Sequence, residues 1–149
     1  MVEWPGRLEV LGRHPWVIVD GAHNGDSMQK LRRALDELFP HKRTVLLFGA
    51  SADKDIDSML EAILPAVDHV LITQAHHPRA VAPAMLLQRI AARGKSATIV
   101  PMDQALEHAL HLAQENDLIC ATGSLFVVAD LRLAWLKHAR RPLPALDPE

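Results

Sequence analysis

The sequence predicts an α/β fold of Rossmann-like type, with a mostly parallel, doubly wound sheet of about six strands and helices on both faces. Two observations lead to this prediction. Short apolar, β-branched runs alternate along the chain with segments in which apolar residues recur every three or four positions. The strand segments are apolar almost throughout, which is typical of strands that are covered on both faces. Such an alternation of strands and helices produces a parallel sheet.

Six segments have the composition of strands. The first follows Trp4-Pro5-Gly6 and is expected to be an edge strand or an antiparallel addition to the sheet. The predicted strands are 7–11, 16–19, 44–48, 69–73, 97–100 and 117–121.

Five segments have helical spacing. In the first, Met28, Leu31 and Leu35 form one apolar stripe, and Pro40 follows as a stop signal. Gly94 is placed where a glycine commonly ends a helix. The predicted helices are 27–38, 56–64, 83–93, 103–115 and 125–138.

Composition excludes several classes of function. The formal net charge of −2 argues against a broad nucleic-acid surface, and no apolar run is long enough to span a membrane. The nine histidines are scattered without zinc-ligand spacing, so we expect no metal site. A single cysteine, Cys120, favours a reducing, cytoplasmic location over a disulfide framework.

Polar residues are concentrated after four of the five later strands. In a parallel α/β sheet these loops share one edge, where ligands bind. Asp20 is difficult to explain structurally, because a carboxylate at a strand end must be solvated, paired or facing a ligand. Asn24 and Ser124 could equally be helix N-caps, and the run 53–55 could be a solvated loop. The four loops are 20–24, 49–55, 73–79 and 122–124.

One motif is misleading. Gly94-Lys95-Ser96 has the ending of a phosphate-binding P-loop, but Arg89 stands where that motif requires glycine. A helix is expected before it and a strand after it, the reverse of a P-loop. We therefore interpret it as a helix-to-strand turn.

Five motifs in order resemble one family. They are WPGR (4–7), DGAHN (20–24), GASADKD (49–55), PRA (78–80) and TGSLF (122–126). This series resembles the C-terminal domain of folylpolyglutamate synthase/dihydrofolate synthase, in the Mur ligase superfamily. The resemblance implies a glutamate ligase domain over residues 1–140 and a Pro-rich tail over 141–149.

The resemblance also implies a reaction. ATP, with Mg²⁺, phosphorylates the carboxyl of a dihydropteroate or a folate, and the amine of L-glutamate then attacks the acyl phosphate. An N-terminal P-loop ATPase domain, expected to be absent from this chain, would hold most of the phosphate and metal contacts. The chain alone is therefore expected to be inactive, with neither ATP nor Mg²⁺ bound.

Site residues follow from the same resemblance. The implied cofactor contacts are Arg7, Asp20, Asn24 and Lys54. His23 is the implied catalytic residue, which also places the incoming glutamate. The other implied substrate contacts are Ser124, Arg79 and Asp55.

Two departures and two alternatives remain. Gly25 stands where the family usually has proline, and Phe126 where it usually has tyrosine. One alternative is a Mur-type ligase that adds an amino acid to a cell-wall precursor. The other is a free-standing doubly wound binding or regulatory module, similar to a receiver domain, which Asp20 and Lys54 superficially permit.

Overall fold

The computed structural model describes residues 7–140. The first three residues of the WPGR motif and the Pro-rich tail at 141–149 lie outside this part of the chain. The strands are β1 (Glu9–Arg13), β2 (Trp16–Val19), β3 (Thr44–Phe48), β4 (His69–Ile72), β5 (Ala97–Ile99) and β6 (Leu118–Thr122). The helices are α1 (Gly25–Leu38), α2 (Ile56–Ile63), α3 (Pro83–Ala91), α4 (Met102–Leu112) and α5 (Leu125–Arg140), and a 3-10 turn at Leu64–Ala66 follows α2.

The described strands form one sheet in the order β1-β2-β6-β3-β4-β5. All neighbouring pairs are parallel except β1 with β2, so the first strand is an antiparallel edge strand as the sequence predicted. The chain passes from β2 to β3 and outward to β5, and then returns to insert β6 between β2 and β3. This return creates a topological switch point at the centre of the sheet.

Helices cover both faces, as predicted. The side chains of each strand alternate between two clusters, because successive residues of a strand point to opposite faces. One cluster packs Leu46 and Phe48 of β3 against α1, α2 and α3. The other packs Val45 and Leu47 of the same strand against α4 and α5. Both faces of the central strands are thus buried, which explains why these strands are apolar throughout.

Most elements differ from the prediction by one to three residues at an end, and two of these differences have a local cause. The predicted first strand, 7–11, starts two residues later and continues to Arg13, because the pairing with β2 extends through a bulge between Val10 and Gly12. A Cβ at Gly12 would lie 2.7 Å from the ring of Trp135, so the bulge fits under that ring. The predicted helix 103–115 ends at Leu112, and beyond it the carboxylate of Asp117 accepts the N–H of Gln114.

The P-loop-like motif is a helix-to-strand turn. Gly94 has a φ of +77° and its N–H donates to the carbonyl of Ala91 at 2.9 Å, closing the end of α3. The ammonium of Lys95 donates to the carbonyl of Val67, so it is used inside the fold.

None of the helices between residues 7 and 140 is both long and apolar enough to cross a membrane.

Candidate functional site

The polar loops meet at the carboxyl edge of the sheet because β2, β6, β3 and β4 are consecutive neighbours there. Two glycines bring the loops after β3 and β6 into backbone contact. Gly123 has a φ of +113°, and a Cβ on it would lie 2.1 Å from the carbonyl oxygen of Gly49. A Cβ on Gly49 would in turn lie 2.7 Å from the carbonyl oxygen of Thr73. Side chains at these positions would separate the loops, so glycine defines the floor of the site.

The loops after β3 and β4 are joined directly to each other. The N–H of Ala52 donates to the carbonyl of Arg79, and the N–H of Val81 donates to the carbonyl of Ala50, both at 2.8 Å. Ser51 and Ala80 form an antiparallel bridge between these two bonds. This pairing fixes Arg79 beside the 53–55 run, although 25 or so positions separate them along the chain.

Two adjacent cavities open at this edge. The first, which we name the Asp20 cavity, has a volume of about 560 Å³ and is lined by Arg7, Asp20 and Lys30 among others. The second, the Arg79 cavity, has a volume of about 390 Å³. It is lined by Gly21, His23, Ser51, Asp53, Lys54, Arg79, Ser124, Leu125 and Phe126. Both volumes are within the range of small-molecule sites.

Three residues, Gly21, His23 and Leu125, line both cavities and form the wall between them. Of these, only His23 carries a polar side chain. Its backbone N–H donates to the hydroxyl of Ser27 at 3.0 Å, which fixes the main chain while the imidazole remains exposed. His23 therefore has access to ligands in either cavity.

Asp20 organises the Asp20 cavity through the backbone. Its Oδ1 accepts the N–H of Leu8 at 2.8 Å, and its Oδ2 accepts the N–H of Ala22 at 2.9 Å. Leu8 has a φ of +47°, a left-handed conformation that costs about 1–3 kcal/mol for a residue with a side chain. The carboxylate thus stabilises a strained residue directly after Arg7, and so sets the position of that arginine.

Burial raises the pKa of Asp20, while the two backbone N–H groups and the charge of Arg7 act in the opposite direction. A second positive or hydrogen-bonding group in the Asp20 cavity would stabilise the carboxylate further. The buried thiol of Cys120 in β6 also has a raised pKa, because of burial and the nearby charge of Asp20, so it is inert at neutral pH.

The Arg79 cavity contains charged groups without partners. Within residues 7–140, the side chains of Asp53, Lys54 and Arg79 form no hydrogen bond or ion pair with one another or with the rest of the fold. Arg93 and Asp57, by contrast, form an ion pair at 3.0 Å. Two cations and one carboxylate therefore face an open volume, where they can recognise a ligand with complementary charges.

A stacked pair of rings supports Arg79. The imidazole of His77 lies on the ring of Phe126, with centroids 3.7 Å apart and an angle of 20° between the planes. The backbone N–H of Arg79 donates to Nδ1 of His77 at 3.1 Å. The preceding residue, His76, donates its N–H to the carboxylate of Asp130 on α5 at 3.0 Å. Phe126, which stands where the family usually has tyrosine, uses its ring face for this contact.

Some predicted site residues are helix caps. Asn24 caps α1 in a reciprocal capping box with Ser27. Asp55 caps α2 by accepting hydrogen bonds from the hydroxyl and the N–H of Ser58, and these bonds lower the pKa of Asp55. Neither Asn24 nor Asp55 lines the two cavities. Ser124 accepts the N–H of Val127 at 3.1 Å and also lines the Arg79 cavity, so its hydroxyl hydrogen is available to a ligand.

The other predicted residues are divided between the two cavities. Arg7 and Asp20 share the Asp20 cavity, and Ser124 and Arg79 share the other, which is the division that the family resemblance implies. Lys54, grouped from the sequence with the cofactor contacts, lines the Arg79 cavity with the substrate residues.

Sequence reasoning missed Lys30, Asp53 and His77 as members of the site. Lys30 belongs to a helix whose periodicity gives no sign of a ligand. In the sequence, Asp53 was recognised only as part of a charged run. His77 contacts Arg79 from a ring stack on Phe126, and no sequence spacing predicts that stack.

Comparisons with known proteins identify the family of this chain. Residues 6–125 match the family model described as "Mur ligase, glutamate ligase domain". The chain is 37% identical over 136 residues to a probable bifunctional folylpolyglutamate synthase/dihydropteroate synthase of Haloferax volcanii, covering 90% of this chain and 16% of that protein. It is 32% identical over 127 residues to a UDP-N-acetylmuramoyl-L-alanyl-D-glutamate–2,6-diaminopimelate ligase of Coxiella burnetii, covering 80% of this chain and 26% of that protein.

A solved structure has the same fold. Folylpolyglutamate synthase of Mycobacterium tuberculosis, complexed with ADP and AMPPCP, superimposes with a TM-score of 0.84 at 27% identity, covering 95% of this chain and 34% of that one. The chain therefore spans about a third of that structure's length, and less of the two curated relatives. The family match extends over most of the chain and includes every residue that lines the two cavities except Phe126, and the chain belongs to the Mur ligase family as a glutamate ligase domain.

Proposed function

We propose that this chain is the C-terminal domain of an ATP-dependent ligase that joins L-glutamate to dihydropteroate, to a folate polyglutamate, or to both. Residues 1–140 form the domain in this proposal. The observation that carries it is the Arg79 cavity, where two cations, an imidazole and a hydroxyl converge at the switch point of the sheet. A dicarboxylic amino acid is a ligand of matching charge.

The Arg79 cavity suits the incoming glutamate. Lys54 and Arg79 supply positive charge for its carboxylates, and the hydroxyl of Ser124 supplies a hydrogen-bond donor. His23 lies on the wall toward the Asp20 cavity, where it can orient the amine toward an activated carboxyl. Holding the amine in line with the acyl phosphate contributes to the rate, because it replaces a bimolecular encounter.

The Asp20 cavity suits the nucleotide. Arg7 and Lys30 provide positive charge there, which phosphoryl transfer requires near developing negative charge. ATP supplies the phosphoryl group that activates the carboxyl, and phosphate leaves when the glutamate amine attacks. No group of three or more His, Cys, Asp or Glu side chains within residues 7–140 is arranged to hold a cation. In this proposal Mg²⁺ is therefore held by the partner domain.

Both cavities are open to solvent, which fits a site completed by a second domain. We propose an N-terminal P-loop ATPase domain as that partner, acting in the cytoplasm. The family match argues against the free-standing receiver-like module.

A cell-wall ligase is the second candidate, because the Coxiella burnetii relative is 32% identical. The folate branch is favoured by the 37% identity to the Haloferax volcanii protein and by the fold of the folylpolyglutamate synthase structure. Competition between folate and cell-wall acceptors, in the protein that carries this chain with its ATPase domain, separates the two candidates.

A coupled ADP-release assay tests the proposal. The 149-residue chain alone should release no ADP in response to glutamate, whereas the chain joined to its ATPase domain should do so when a pteroate or folate acceptor is present. Glutamate-dependent turnover by the chain alone would overturn the division of the site between two domains. Absence of glutamate-dependent turnover in the joined protein, with every acceptor tested, would overturn the ligase function.

A further inference from the structure

The Arg79 cavity contains an acid that the proposed carboxylate contacts do not explain. Asp53 lies in the loop after β3, next to Lys54, and it is the one carboxylate among the residues that line this cavity between positions 7 and 140. It caps no helix, in contrast to Asp55 two positions later, which caps α2. An acid beside two anion-binding cations weakens their attraction for a plain dianion, so its position calls for a ligand that also carries a positive group.

The loop geometry holds Asp53 at a fixed place relative to Arg79. The N–H of Ala52, directly before Asp53, donates to the carbonyl of Arg79 at 2.8 Å, and the N–H of Lys54 donates to the carbonyl of Ser51 at 3.2 Å. The main chain on both sides of Asp53 is therefore anchored. Its side chain has no partner within the described part of the chain, so its oxygens remain available to a ligand.

The charges of the cavity match those of an α-amino dicarboxylic acid. Lys54 and Arg79 provide two positive groups, one for each carboxylate, and Asp53 provides one negative group for the ammonium. We propose that Asp53 is the specificity-determining residue that binds the α-ammonium group of the incoming glutamate and orients its nitrogen. This inference rests on the proposed function, because it assigns glutamate to this cavity.

The same arrangement selects against simple dicarboxylates. Glutarate has the two carboxylates of glutamate on the same carbon chain and lacks the amine. In the native cavity it leaves Asp53 unpaired beside its carboxylates, which is an unfavourable contact. Removing the charge of Asp53 should therefore weaken the binding of glutamate while leaving that of glutarate unchanged or tighter.

The test uses the full-length protein that carries this chain, with ADP release as the readout. The glutamate KM and the Ki of glutarate as a competitor are measured for the wild type, Asp53→Asn and Asp53→Glu. Asp36→Asn is the matched control, because Asp36 is an exposed acid on α1 outside both cavities. The loss of one partly solvated ion pair predicts a rise in glutamate KM of about two- to fivefold for Asp53→Asn. Asp53→Glu should recover part of this loss, and the glutarate Ki should not rise.

Other outcomes count against the inference in distinct ways. An equal rise in glutamate KM and glutarate Ki would mean that Asp53 shapes the cavity without recognising the amine. An unchanged glutamate KM would mean that Asp53 contributes nothing to recognition. A wild type that shows no glutamate-dependent ADP release would instead overturn the assignment of the cavity to glutamate.

Discussion

The contact between the loops after β3 and β6 makes Gly123 the most sensitive position of the site. In Gly123→Ala the new Cβ would lie 2.1 Å from the carbonyl oxygen of Gly49 and 3.0 Å from the ring of Phe48. The backbone must also keep a φ of +113°, which costs about 1–3 kcal/mol with a side chain. Relief of the overlap adds about 1–3 kcal/mol. We expect a total loss of about 2–6 kcal/mol in the free energy of unfolding.

Two other glycines separate these contributions. Gly94 has a φ of +77° but no heavy atom within 4 Å of an added Cβ, so Gly94→Ala reports backbone strain alone, about 1 kcal/mol. Gly49 is not in the left-handed region, yet its Cβ would lie 2.7 Å from the carbonyl oxygen of Thr73. Gly49→Ala therefore reports overlap alone, about 1–3 kcal/mol.

Urea unfolding of the three variants, followed by circular dichroism and tryptophan fluorescence, measures these losses. The predicted order of destabilisation is Gly123→Ala first, then Gly49→Ala, then Gly94→Ala. A Gly123→Ala protein that is already unfolded without urea would agree with the expectation, since small domains have only about 5–15 kcal/mol in total. A loss no larger than that of Gly94→Ala would show that the two loops are not in close contact, and would refute the geometry of the Arg79 cavity.

Three further predictions concern single side chains. Asp117 is buried, but hydrogen bonds from Gln114 and Arg43 outweigh the effect of burial and lower its pKa. Its carboxylate therefore stabilises the fold at pH values above its ordinary pKa of 3.8. Asp117→Asn should therefore lose about 1–3 kcal/mol in urea unfolding at pH 7, with the loss vanishing as pH falls through the lowered pKa. Asp20 has a raised pKa because it is buried. The stability of the wild type relative to Asp20→Asn should therefore fall as the pH rises from 3.8 through the raised pKa. A relative stability that rises over this pH range would contradict the burial of Asp20. In the joined protein, His77→Phe keeps the ring on Phe126 but removes the acceptor for the Arg79 N–H, so the glutamate KM should rise several-fold with the ATP KM unchanged. An unchanged glutamate KM in His77→Phe would show that the hydrogen bond to the N–H of Arg79 does not position that residue.

The sheet and its helices were predictable because their signals are local. The fully apolar strand segments and the three-to-four spacing around Met28 and Leu31 predicted the order of the elements. The same signals placed the ends of the elements to within a few residues. The predicted end of α4 was wrong because the N–H of Gln114 donates to the carboxylate of Asp117. Apolar periodicity cannot predict such a hydrogen bond between backbone and side chain.

The site was predictable at the level of loops but not of partners. Asp20, His23 and Arg79 follow strands whose carboxyl ends must meet, so their convergence follows from topology. Ser124 lies beside these residues because β6 is inserted between β2 and β3. The alternation of strands and helices along the chain does not determine this strand order. The stack of His77 on Phe126 depends on the packing of a loop against α5, and no sequence spacing encodes it.

The central claim is that the two adjacent cavities take two different ligands, the nucleotide in the Asp20 cavity and glutamate in the Arg79 cavity. Steady-state kinetics of Arg7→Gln and Arg79→Gln in the joined protein test it most directly, with KM measured for ATP and for glutamate in each variant. Arg7→Gln should raise the ATP KM and leave the glutamate KM nearly unchanged, and Arg79→Gln should do the reverse. Equal changes in both KM values for both variants, or the exchanged pattern, would contradict the account.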